Sequence, residues 1–376
     1  MHILALNPYH GGSHKAFIDG WINHSRHDWT LLTLPPHHWK WRMRHAAISF
    51  IEQISQINEH KWDAIVCTDM LNLAEFTGLA PVSIQKLPKM IYFHENQLLY
   101  PDQHSTERDY HYAFTNFISA LSADEIWFNS DWHKNNFNNA LKQWLIKMPD
   151  YQPKKAIEKL ITKSKTHYPG IETDCYQQTL QAKQTDALTI LWAARWEDDK
   201  NPECFFNAIE LLIQKDVHFT LNILGSSSIK TPPLFEHAKQ KLASYINNWG
   251  YIEDRHDYIE ILKTSDVVVS TAVHEFFGIA VLEAVSLGCI PVVPQRLAYP
   301  ETLSKFQDKT LNCFYNGSAE QLAENLENLS KNIKDNKWLS HYQNKTGHAT
   351  TRYQWNKRSE EMDNDLSTLI TNHCPE

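Results

Sequence analysis

The chain has 376 residues, which suits two domains of about 150–200 residues each. A hydrophobic fraction of 42% is enough for ordinary cores, and a net charge of −8 argues against a protein that is basic throughout. No apolar run reaches the roughly 18 residues that a membrane span needs, so we expect no membrane segment and no secretory leader.

The cysteine pattern and the charge distribution indicate which kinds of site and partner to expect. The six cysteines are scattered without a CxxC pair, so we expect neither a zinc site nor a disulfide framework, and a cytoplasmic location fits best. Residues 1–170 carry 17 Lys and Arg against 16 Asp and Glu, whereas the rest of the chain carries 19 against 28. This asymmetry permits an anionic partner for the first half only.

Apolar β-branched runs alternate with helical patterns along the whole chain. The predicted strands cover residues 2–6, 64–68, 90–93 and 125–128 in the first half, and residues 188–193, 219–224, 266–270 and 290–293 in the second. Helices are predicted at residues 46–57, 202–214, 234–247 and 280–287, the first with a face of Ile48, Ile51, Ile54, Ser55 and Ile57. Because the strands are continuously apolar, we expect parallel sheets covered on both faces.

The predicted fold class is therefore α/β, with two Rossmann-like doubly wound domains that face each other across a cleft. Residues 149–172 are rich in Lys and contain Pro153, Pro169 and Gly170, which places the domain boundary there. We expect an N-terminal domain at 1–170, a C-terminal domain at 171–350 and a final segment at 351–376. Ligands bind such sheets at the carboxyl ends of the strands.

Two glutamates, Glu275 and Glu283, stand eight positions apart around Gly278, after a predicted strand and into a helix. Gly lets a ligand approach the backbone, the helix N-terminus offers N–H groups to phosphate, and carboxylates suit sugar and ribose hydroxyls. In isolation, a loop acid and a helix-start Glu would explain the pair equally well. The segment resembles the signature of the large retaining glycosyltransferase family that includes sucrose synthase and bacterial mannosyltransferases. That resemblance implies donor binding by Glu275, Phe277, Gly278, Ile279 and Glu283.

A basic pair, Arg195 and Lys200, follows the predicted strand at 188–193. Such a pair can clamp a diphosphate in place of a divalent metal, although both cations could instead pair with the acids at 197–199. The same family has a basic pair at similar spacing, which favours donor phosphates. The strict D-x-D at Asp363 and Asp365 is interpreted as a solvated helix face. We therefore expect no metal ion and no cofactor beyond the donor sugar nucleotide.

Polar loops follow the first and third predicted strands of the N-terminal half. In residues 7–15, two glycines allow a tight turn and Ser13 is a plausible helix N-cap, as in an ordinary strand-to-helix turn. In two-domain glycosyltransferases this loop faces the donor phosphates and the acceptor, which implies Gly12 for the donor and Ser13, His14 and Lys15 for the acceptor. Residues 94–97 are four consecutive polar side chains, which are costly in a core and suit a cleft.

Three candidate residues lie in that second loop. His94 can support a sugar hydroxyl or the acceptor oxygen, although a single His is as often structural. Glu95 and Asn96 are candidates for acceptor binding.

Residues 37–45 interleave aromatic and cationic side chains, including Trp39, Trp41, Arg42 and Arg44. This combination can bind a phosphate backbone and stack on bases, and the two Trp are costly to expose without use. We therefore expect these four residues to bind an acceptor. The Lys-rich stretch at 142–165, with seven Lys and two acids, is interpreted as a solvated face.

A closer resemblance covers essentially the whole chain. Residues 7–15, 93–98, 128–130, 195–200, 274–278 and 296–301 look like the motifs of the tRNA-queuosine mannosyltransferase family, a group with the GT-B fold. The resemblance implies retaining, metal-independent transfer from GDP-mannose to queuosine in a tRNA anticodon. It also implies that the C-terminal segment packs back on the first domain. Catalysis would rest on Glu275, His94, Arg195 and Lys200.

Other functions stay open at this point. A glycosyltransferase for a lipid or polysaccharide acceptor would need an amphipathic basic helix, and residues 134–147 come closest. An inactive nucleotide- or RNA-binding module would bind without turnover, and a sugar-nucleotide epimerase could share the architecture.

Overall fold

The structure is a computed structural model that describes residues 1–57, 61–100, 109–172, 187–227, 231–307, 313–332, 342 and 349–373. The chain divides into two compact units. Unit 1 comprises Met1–Gly170 and Trp355–Glu376, and unit 2 comprises Ile171–Gln354. Each unit is built on a six-stranded sheet whose strands all pair in parallel.

Unit 1 has the strand order β2-β1-β3-β4-β5-β6. Its strands are β1 His2–Asn7, β2 Asp28–Thr33, β3 Ala64–Thr68, β4 Lys89–Phe93, β5 Glu125–Phe128 and β6 Ser164–Thr166. Its helices are α1 Gly12–His24, α2 Trp39–Ser55, α3 Leu73–Leu79, α4 Val82–Gln85, α5 Tyr110–Ser122, α6 Asp131–Leu145 and α7 Lys154–Lys163, and the C-terminal helix is Trp355–His373.

Unit 2 has the strand order β12-β11-β10-β7-β8-β9. Its strands are β7 Leu188–Ala193, β8 Phe219–Leu224, β9 Ile246–Gly250, β10 Val267–Val269, β11 Ile290–Pro294 and β12 Phe314–Tyr315. Its helices are α8 Pro202–Gln214, α9 Pro233–Lys241, α10 Arg255–Thr264, α11 Ile279–Ser286, α12 Tyr299–Thr302 and α13 Ala319–Asn332.

Apolar runs form the central strands of both sheets. Every residue of β3, β4 and β11 is buried, as expected for parallel strands with helices on both faces. The eight predicted strands are all present, and the predicted α/β class with two parallel sheets is confirmed. No helix in the described residues combines the length and the apolar character that crossing a bilayer would require.

The C-terminal helix packs against α1 and completes the core of unit 1. Trp355 lies so close to Gly20 that a Cβ there would sit 2.3 Å from its indole ring, so only Gly allows this approach. Met362 and Leu366 of the same helix join a cluster with Phe17 and Trp21. This helix and α1 therefore cover one face of the first sheet together.

Asp363 in this helix corrects one sequence interpretation. The D-x-D at 363–365 was interpreted as a solvated face, but Asp363 is buried. Its carboxylate accepts hydrogen bonds from the Trp21 indole N–H at 2.8 Å, the Ser25 hydroxyl at 2.9 Å and the Arg26 backbone N–H at 2.8 Å. Asp365 is partly exposed and pairs with Lys165. The prediction was wrong because docking of the helix turns Asp363 toward α1.

Residues 149–172, where the domain boundary was predicted, contain β6 and also α7, which buries Ile157 and Leu160, and the two units meet between Gly170 and Ile171. Two further predictions on elements were wrong. Helix α2 begins at Trp39 and buries Met43, Ala46, Ala47, Phe50 and Ile54, whereas Ile48 is exposed. The helix predicted at 234–247 ends at Lys241, because the chain then forms β9 alongside β8 and gains the hydrogen bonds of the sheet.

Candidate active site

Two loops at the carboxyl ends of neighbouring strands form a charged cluster in unit 2. Strands β7 and β10 pair directly, with Val269 opposite Trp192. The loop after β7 carries Arg195 and Lys200, and the loop after β10 carries Glu275. Because adjacent parallel strands end at the same edge, the Lys200 Nζ comes within 3.3 Å of the Glu275 Oε2. The structure therefore brings together residues that lie 75 positions apart in the chain.

Lys200 is the centre of this cluster and is mostly buried. Its ammonium donates to the backbone carbonyl of His274 at 2.9 Å and pairs with the Asp199 carboxylate at 3.1 Å, besides Glu275. Burial alone would lower the pKa of Lys200, but the two carboxylates, Glu275 first, outweigh burial and raise it. Lys200 is therefore a fixed cation with a defined position.

Glu275 is a fixed anion beside that cation. Its Oε1 accepts the backbone N–H of Gly278 at 3.1 Å and of Phe277 at 3.4 Å, while Oε2 faces Lys200. Burial would raise the pKa of Glu275, but the ammonium and these two N–H groups hold it below its usual range. The carboxylate is thus ionised and oriented, as binding to a polyhydroxylated ligand requires.

Gly278 makes the turn from this loop into α11. Its φ is +86°, and a Cβ at this position would lie 2.8 Å from the ring of Tyr299. The Tyr299 hydroxyl hydrogen-bonds with Ser270 at 2.6 Å, which fixes the ring. Any residue other than Gly would be strained and would clash, so the start of α11 depends on Gly278. The side chain of Phe277 is buried, and Ile279 is partly exposed at the first helical position.

Asp199 was not predicted as a site residue, although the alternative explanation of the basic pair included it among the acids at 197–199. It is buried between the two cations, 3.1 Å from the Lys200 Nζ and 3.8 Å from the Arg195 Nη2. Its backbone carbonyl accepts the N–H groups of Val273 and His274, which ties the two loops together. Its position between Arg195 and Lys200 in the sequence was the available signal.

Arg195 and Glu283 lie at the margins of the cluster. Arg195 is about half exposed and pairs with Glu197 at 2.9 Å, as the alternative explanation of the basic pair predicted. Glu283 accepts a hydrogen bond from the Arg255 guanidinium at 2.6 Å. The structure thus groups Arg195, Lys200 and Glu275 around Asp199 and pairs Glu283 with Arg255.

Unit 1 has its own polar edge at the carboxyl ends of β1, β3 and β4. His94 follows β4, is buried, and donates its backbone N–H to the Asp69 Oδ1 at 3.0 Å. Its ring lies 4.2 Å from that of His14 and 5.0 Å from that of Phe17. Burial, followed by His14 and His133, holds the pKa of His94 well below its usual range, so the ring is neutral at pH 7.

The Nε2 of His94 is buried and has no hydrogen-bond partner among the described residues. A buried polar atom without a partner is costly, so this nitrogen is available for a ligand. Asp69, which follows β3, was not predicted. Burial, with Glu95 adding to it, raises the pKa of Asp69 well above its usual range.

The first loop of unit 1 differs in detail from the prediction. Gly11 is the N-cap of α1, without a side-chain hydrogen bond, and Ser13 lies inside the first turn, so the N-cap prediction for Ser13 was wrong. Gly12, Ser13 and Lys15 are exposed, whereas His14 is buried beside His94. The loop precedes a helix whose first residue has a left-handed φ of +50°.

Asn96 was predicted to bind the acceptor, but its side chain is occupied inside the protein. Its side chain is fully buried, and its Oδ1 accepts the backbone N–H groups of Leu98 and Leu99 at 3.1 and 2.8 Å. Its Nδ2 lies 2.8 Å from the Nε2 of His133. Asn96 therefore supports the loop, while its neighbour Glu95 is partly exposed.

The aromatic–basic segment forms the first two turns of α2. Trp41 is 61% exposed and Arg44 is exposed, whereas Trp39 is partly buried. Arg42 has a structural partner, because its Nε donates to the carbonyl of Pro35 at 3.0 Å. Trp41 and Arg44 are thus accessible to solvent, whereas Arg42 fixes the preceding loop.

One group of potential metal ligands occurs in the described residues. Asp254, His256 and Asp257 lie within 4.8 Å of one another, but all three are exposed. Asp254 is the N-cap of α10 and already accepts the backbone N–H groups of the other two. Its carboxylate is accounted for as a helix cap, and nothing further indicates a metal ion there.

Comparison with known proteins identifies the family. Residues 2–171 match the tRNA-queuosine alpha-mannosyltransferase N-terminal family, and residues 178–346 match glycosyl transferases group 1. A tRNA-queuosine alpha-mannosyltransferase of Drosophila melanogaster is 36% identical over 313 residues, covering 81% of this chain and 82% of that protein. A GDP-mannose-dependent alpha-(1-6)-phosphatidylinositol dimannoside mannosyltransferase of Mycobacterium tuberculosis is 27% identical over 31% of this chain and 30% of that protein.

Solved structures show the same fold at low sequence identity. Sucrose-phosphate synthase from Thermosynechococcus elongatus superposes with a TM-score of 0.76 at 12% identity, covering 99% of this chain and all of that one. Anabaena HepE in complex with UDP gives 0.68 at 15% identity, covering 98% and 100%. These likenesses, with the two parallel sheets, confirm the two-domain GT-B fold. The chain belongs to the tRNA-queuosine alpha-mannosyltransferase family of glycosyltransferases.

Proposed function

We propose that this protein transfers mannose from GDP-mannose to queuosine in a tRNA anticodon, with retention of configuration and without a metal ion. The Drosophila relative supports the acceptor and the sugar through its name. The GDP-mannose dependence named for the mycobacterial relative supports the donor. A cytoplasmic location belongs to the same proposal, since it suits a tRNA acceptor.

The pairing of Lys200 with Glu275 is the structural observation that carries the proposal. A cation and an oriented carboxylate lie at the carboxyl edge of the second sheet, immediately before the N-terminus of α11. The cation suits a diphosphate and the carboxylate suits sugar hydroxyls. Arg195, half exposed beside them, adds a second cation that can bind phosphate bidentately. Two cations and helix N–H groups neutralise the phosphates in place of a metal.

The proposed chemistry breaks one bond and makes another on the same face of the sugar. The bond from the anomeric carbon to the phosphate oxygen breaks, and a bond from that carbon to the acceptor oxygen forms. The departing phosphate takes the proton of the acceptor hydroxyl, so no covalent intermediate forms. Lys200 and Arg195 stabilise the negative charge of the departing GDP, and the rate gain comes from this stabilisation and from positioning.

His94 is the proposed contact for a hydroxyl in unit 1. Because its ring is neutral, the Nε2 can accept or donate a hydrogen bond according to its tautomer. We assign the sugar or the incoming acceptor hydroxyl to this nitrogen. Ser13, Lys15 and Glu95, which are exposed or partly exposed near the same edge, stay candidates for acceptor binding. Glu283 stays the candidate for the ribose, and binding of the ribose would replace the hydrogen bond that Glu283 now accepts from Arg255.

A transfer assay tests the proposal. Purified protein is incubated with queuosine-containing tRNA and a panel of GDP- and UDP-sugars, with and without EDTA, and the nucleosides are analysed by mass spectrometry. We expect a hexose mass gain on queuosine with GDP-mannose that persists in EDTA. A gain with a UDP-sugar alone would refute the donor, and loss of the gain in EDTA would refute metal independence. Sugar-nucleotide binding without any mass gain would refute the acceptor.

A matched pair of variants tests the site. Glu275→Gln removes the charge of the oriented carboxylate, and we expect turnover to fall about 100-fold or more. Glu236→Gln makes the same change on the exposed surface of α9 and serves as the control. Equal rates for the two variants would remove Glu275 from the mechanism.

A further inference from the structure

Two helices of unit 1 carry a group of exposed and partly exposed side chains, which we call the aromatic–cationic face. It comprises Trp39, Lys40 and Arg44 of α2 with Tyr112 of α5, and the exposed Trp41, which lies about 60° around the α2 axis from Arg44. The Trp39 and Tyr112 rings meet edge-on with centroids 5.1 Å apart. The Arg44 guanidinium carbon lies 5.1 Å from the centre of the Tyr112 ring, and the Lys40 ammonium lies 5.6 Å from that of Trp39. Two cations are thus held over aromatic rings at one surface.

The aromatic–cationic face is positively charged and strongly aromatic. The first turns of α2 and α5 contain no acidic residue, and within α2 the only acid is Glu52, two turns beyond Arg44. Asp109, the N-cap of α5, is the nearest acid in that helix's sequence, and its carboxylate accepts the His111 backbone N–H. Trp41 exposes 61% of its surface to solvent, so its ring is accessible to a ligand beside the two cations. A ligand that satisfies both features has negative charge along its length and flat apolar surfaces. A nucleic acid with unpaired bases has both.

The face lies beside the loop that the proposed function gives to the acceptor. The His10 backbone N–H donates to the carbonyl of Leu34 at 3.0 Å, and Gly11 lies against the ring of Pro36. Arg42 in turn donates to the carbonyl of Pro35. The chain segment that leads into α2 is therefore fastened to the loop that leads into α1. A ligand at the start of α1 reaches the aromatic–cationic face without leaving unit 1.

We propose that the aromatic–cationic face binds the unpaired anticodon-loop nucleotides of the RNA acceptor, with Trp41 stacked on a base and Arg44 and Lys40 on phosphates. Tyr112 holds the Arg44 guanidinium in place through its ring face and so acts as a positioning residue. The inference rests on the proposed function for the identity of the RNA. It adds that recognition depends on single-stranded nucleotides, because a stacked duplex offers phosphates but no free base faces to Trp41.

Binding measurements on two RNAs test this inference. A fluorescently labelled anticodon stem-loop is compared with the same stem closed as a full duplex, by anisotropy over a range of KCl concentrations. We expect Trp41→Ala to weaken stem-loop binding about 5- to 100-fold and to leave duplex binding unchanged. Arg44→Ala should weaken both RNAs and reduce the slope of log K against log salt by about 0.7–1. Tyr112→Ala should weaken both about 2- to 5-fold.

Two control variants match these changes elsewhere in unit 1. Tyr151→Ala removes an aromatic side chain that is 96% exposed, and Lys155→Ala removes an exposed cation of α7. Neither should change binding. Wild-type affinity in Trp41→Ala and Arg44→Ala, or equal losses in the controls, would overturn the inference. So would a wild-type dimer that Trp41→Ala dissociates while its RNA affinity is unaltered, because the face would then join two copies of the chain.

The same RNA preparation separates this inference from the proposed function. If the wild type transfers mannose but the surface variants bind the stem-loop normally, the proposed function stands and the inference that this face binds RNA is wrong. If the wild type transfers no sugar but binds the stem-loop, and the variants lose that binding, the inference about the face stands and the proposed function is wrong. Circular dichroism spectra that match the wild type exclude misfolding as the cause of lost binding.

Discussion

Removing the buried Asp363 carboxylate should destabilise unit 1 more than removing the partly exposed carboxylate of Asp365 in the same helix. In Asp363→Ala, three donors lose their acceptor: the Trp21 indole N–H, the Ser25 hydroxyl and the Arg26 backbone N–H. The indole N–H is fully buried, so leaving it without an acceptor costs about 1–3 kcal/mol. The other two donors can hydrogen-bond to water instead, so each loss costs only about 0.5–1 kcal/mol. The free energy of unfolding should fall by about 3 kcal/mol.

Urea denaturation followed by tryptophan fluorescence measures this loss, since Trp21 and Trp127 lie in the core beside the helix. With a slope of about 1–3 kcal/mol per molar urea, the midpoint should fall by about 1 M or more. Asp365→Ala is the matched control, because this carboxylate is 39% exposed and its pair with Lys165 should contribute at most about 1 kcal/mol. A midpoint for Asp363→Ala that equals that of Asp365→Ala would refute the reasoning.

Three further predictions concern the candidate site and acid stability. Lys200→Met should lower turnover about 100-fold or more, because the departing phosphates lose a preorganised cation. Steady-state rates measure this loss, and the affinity for the sugar nucleotide shows how much binding remains. Gly278→Ala should cost about 2–4 kcal/mol through strain and overpacking, whereas Gly12→Ala, left-handed but with open space, should cost only about 1–2 kcal/mol, as compared by thermal unfolding. The pKa of Asp365 is lowered to about 2 by His167, with Lys165 adding to it. The ion pairs of Asp365 therefore stabilise the fold at pH values above its ordinary pKa of about 4, and this stabilisation is lost as the pH falls toward 2. In Asp365→Asn, the free energy of unfolding measured by urea denaturation should fall less between pH 5 and pH 2 than in the wild type. The difference should be less than about 1 kcal/mol because the group is partly exposed.

The central strands of both sheets could be predicted from the sequence because burial on both faces leaves a continuous apolar run. Four of the eight predictions match the observed bounds, namely Ala64–Thr68, Glu125–Phe128, Leu188–Ala193 and Phe219–Leu224. The other four differ by one residue at one or both ends. The missed strands β2, β6, β9 and β12 lie at the edges of the sheets. An edge strand is half exposed, so polar residues interrupt its pattern, as in Asp28–Thr33.

The proximity of Lys200 and Glu275 was within reach of the sequence, since both follow strands that a doubly wound topology places next to each other. The pairing of Asp199 with the two cations was also open to the sequence, but its link to the second loop and the structural role of Asn96 were not, because both depend on hydrogen bonds formed only in the folded loops. Asn96 lies among polar residues in the sequence, and only the turn that its own side chain stabilises takes it into the interior. Asp363 was misjudged for a similar reason, since its environment is set by a helix more than 330 residues earlier in the chain.

The two polar edges of this protein differ in charge, and this difference argues for different ligands. In unit 2, Lys200 and Glu275 stabilise each other as ions, so that edge holds fixed charges suited to a diphosphate and its sugar. In unit 1, burial lowers the pKa of His94 and raises that of Asp69, so ionisation is disfavoured for both groups. A neutral imidazole with a buried, available nitrogen is poorly suited to a phosphate and well suited to a hydroxyl. The same topological position thus carries paired ions in one unit and groups that favour their neutral forms in the other, which supports the proposal that unit 2 binds the sugar diphosphate and unit 1 a hydroxyl.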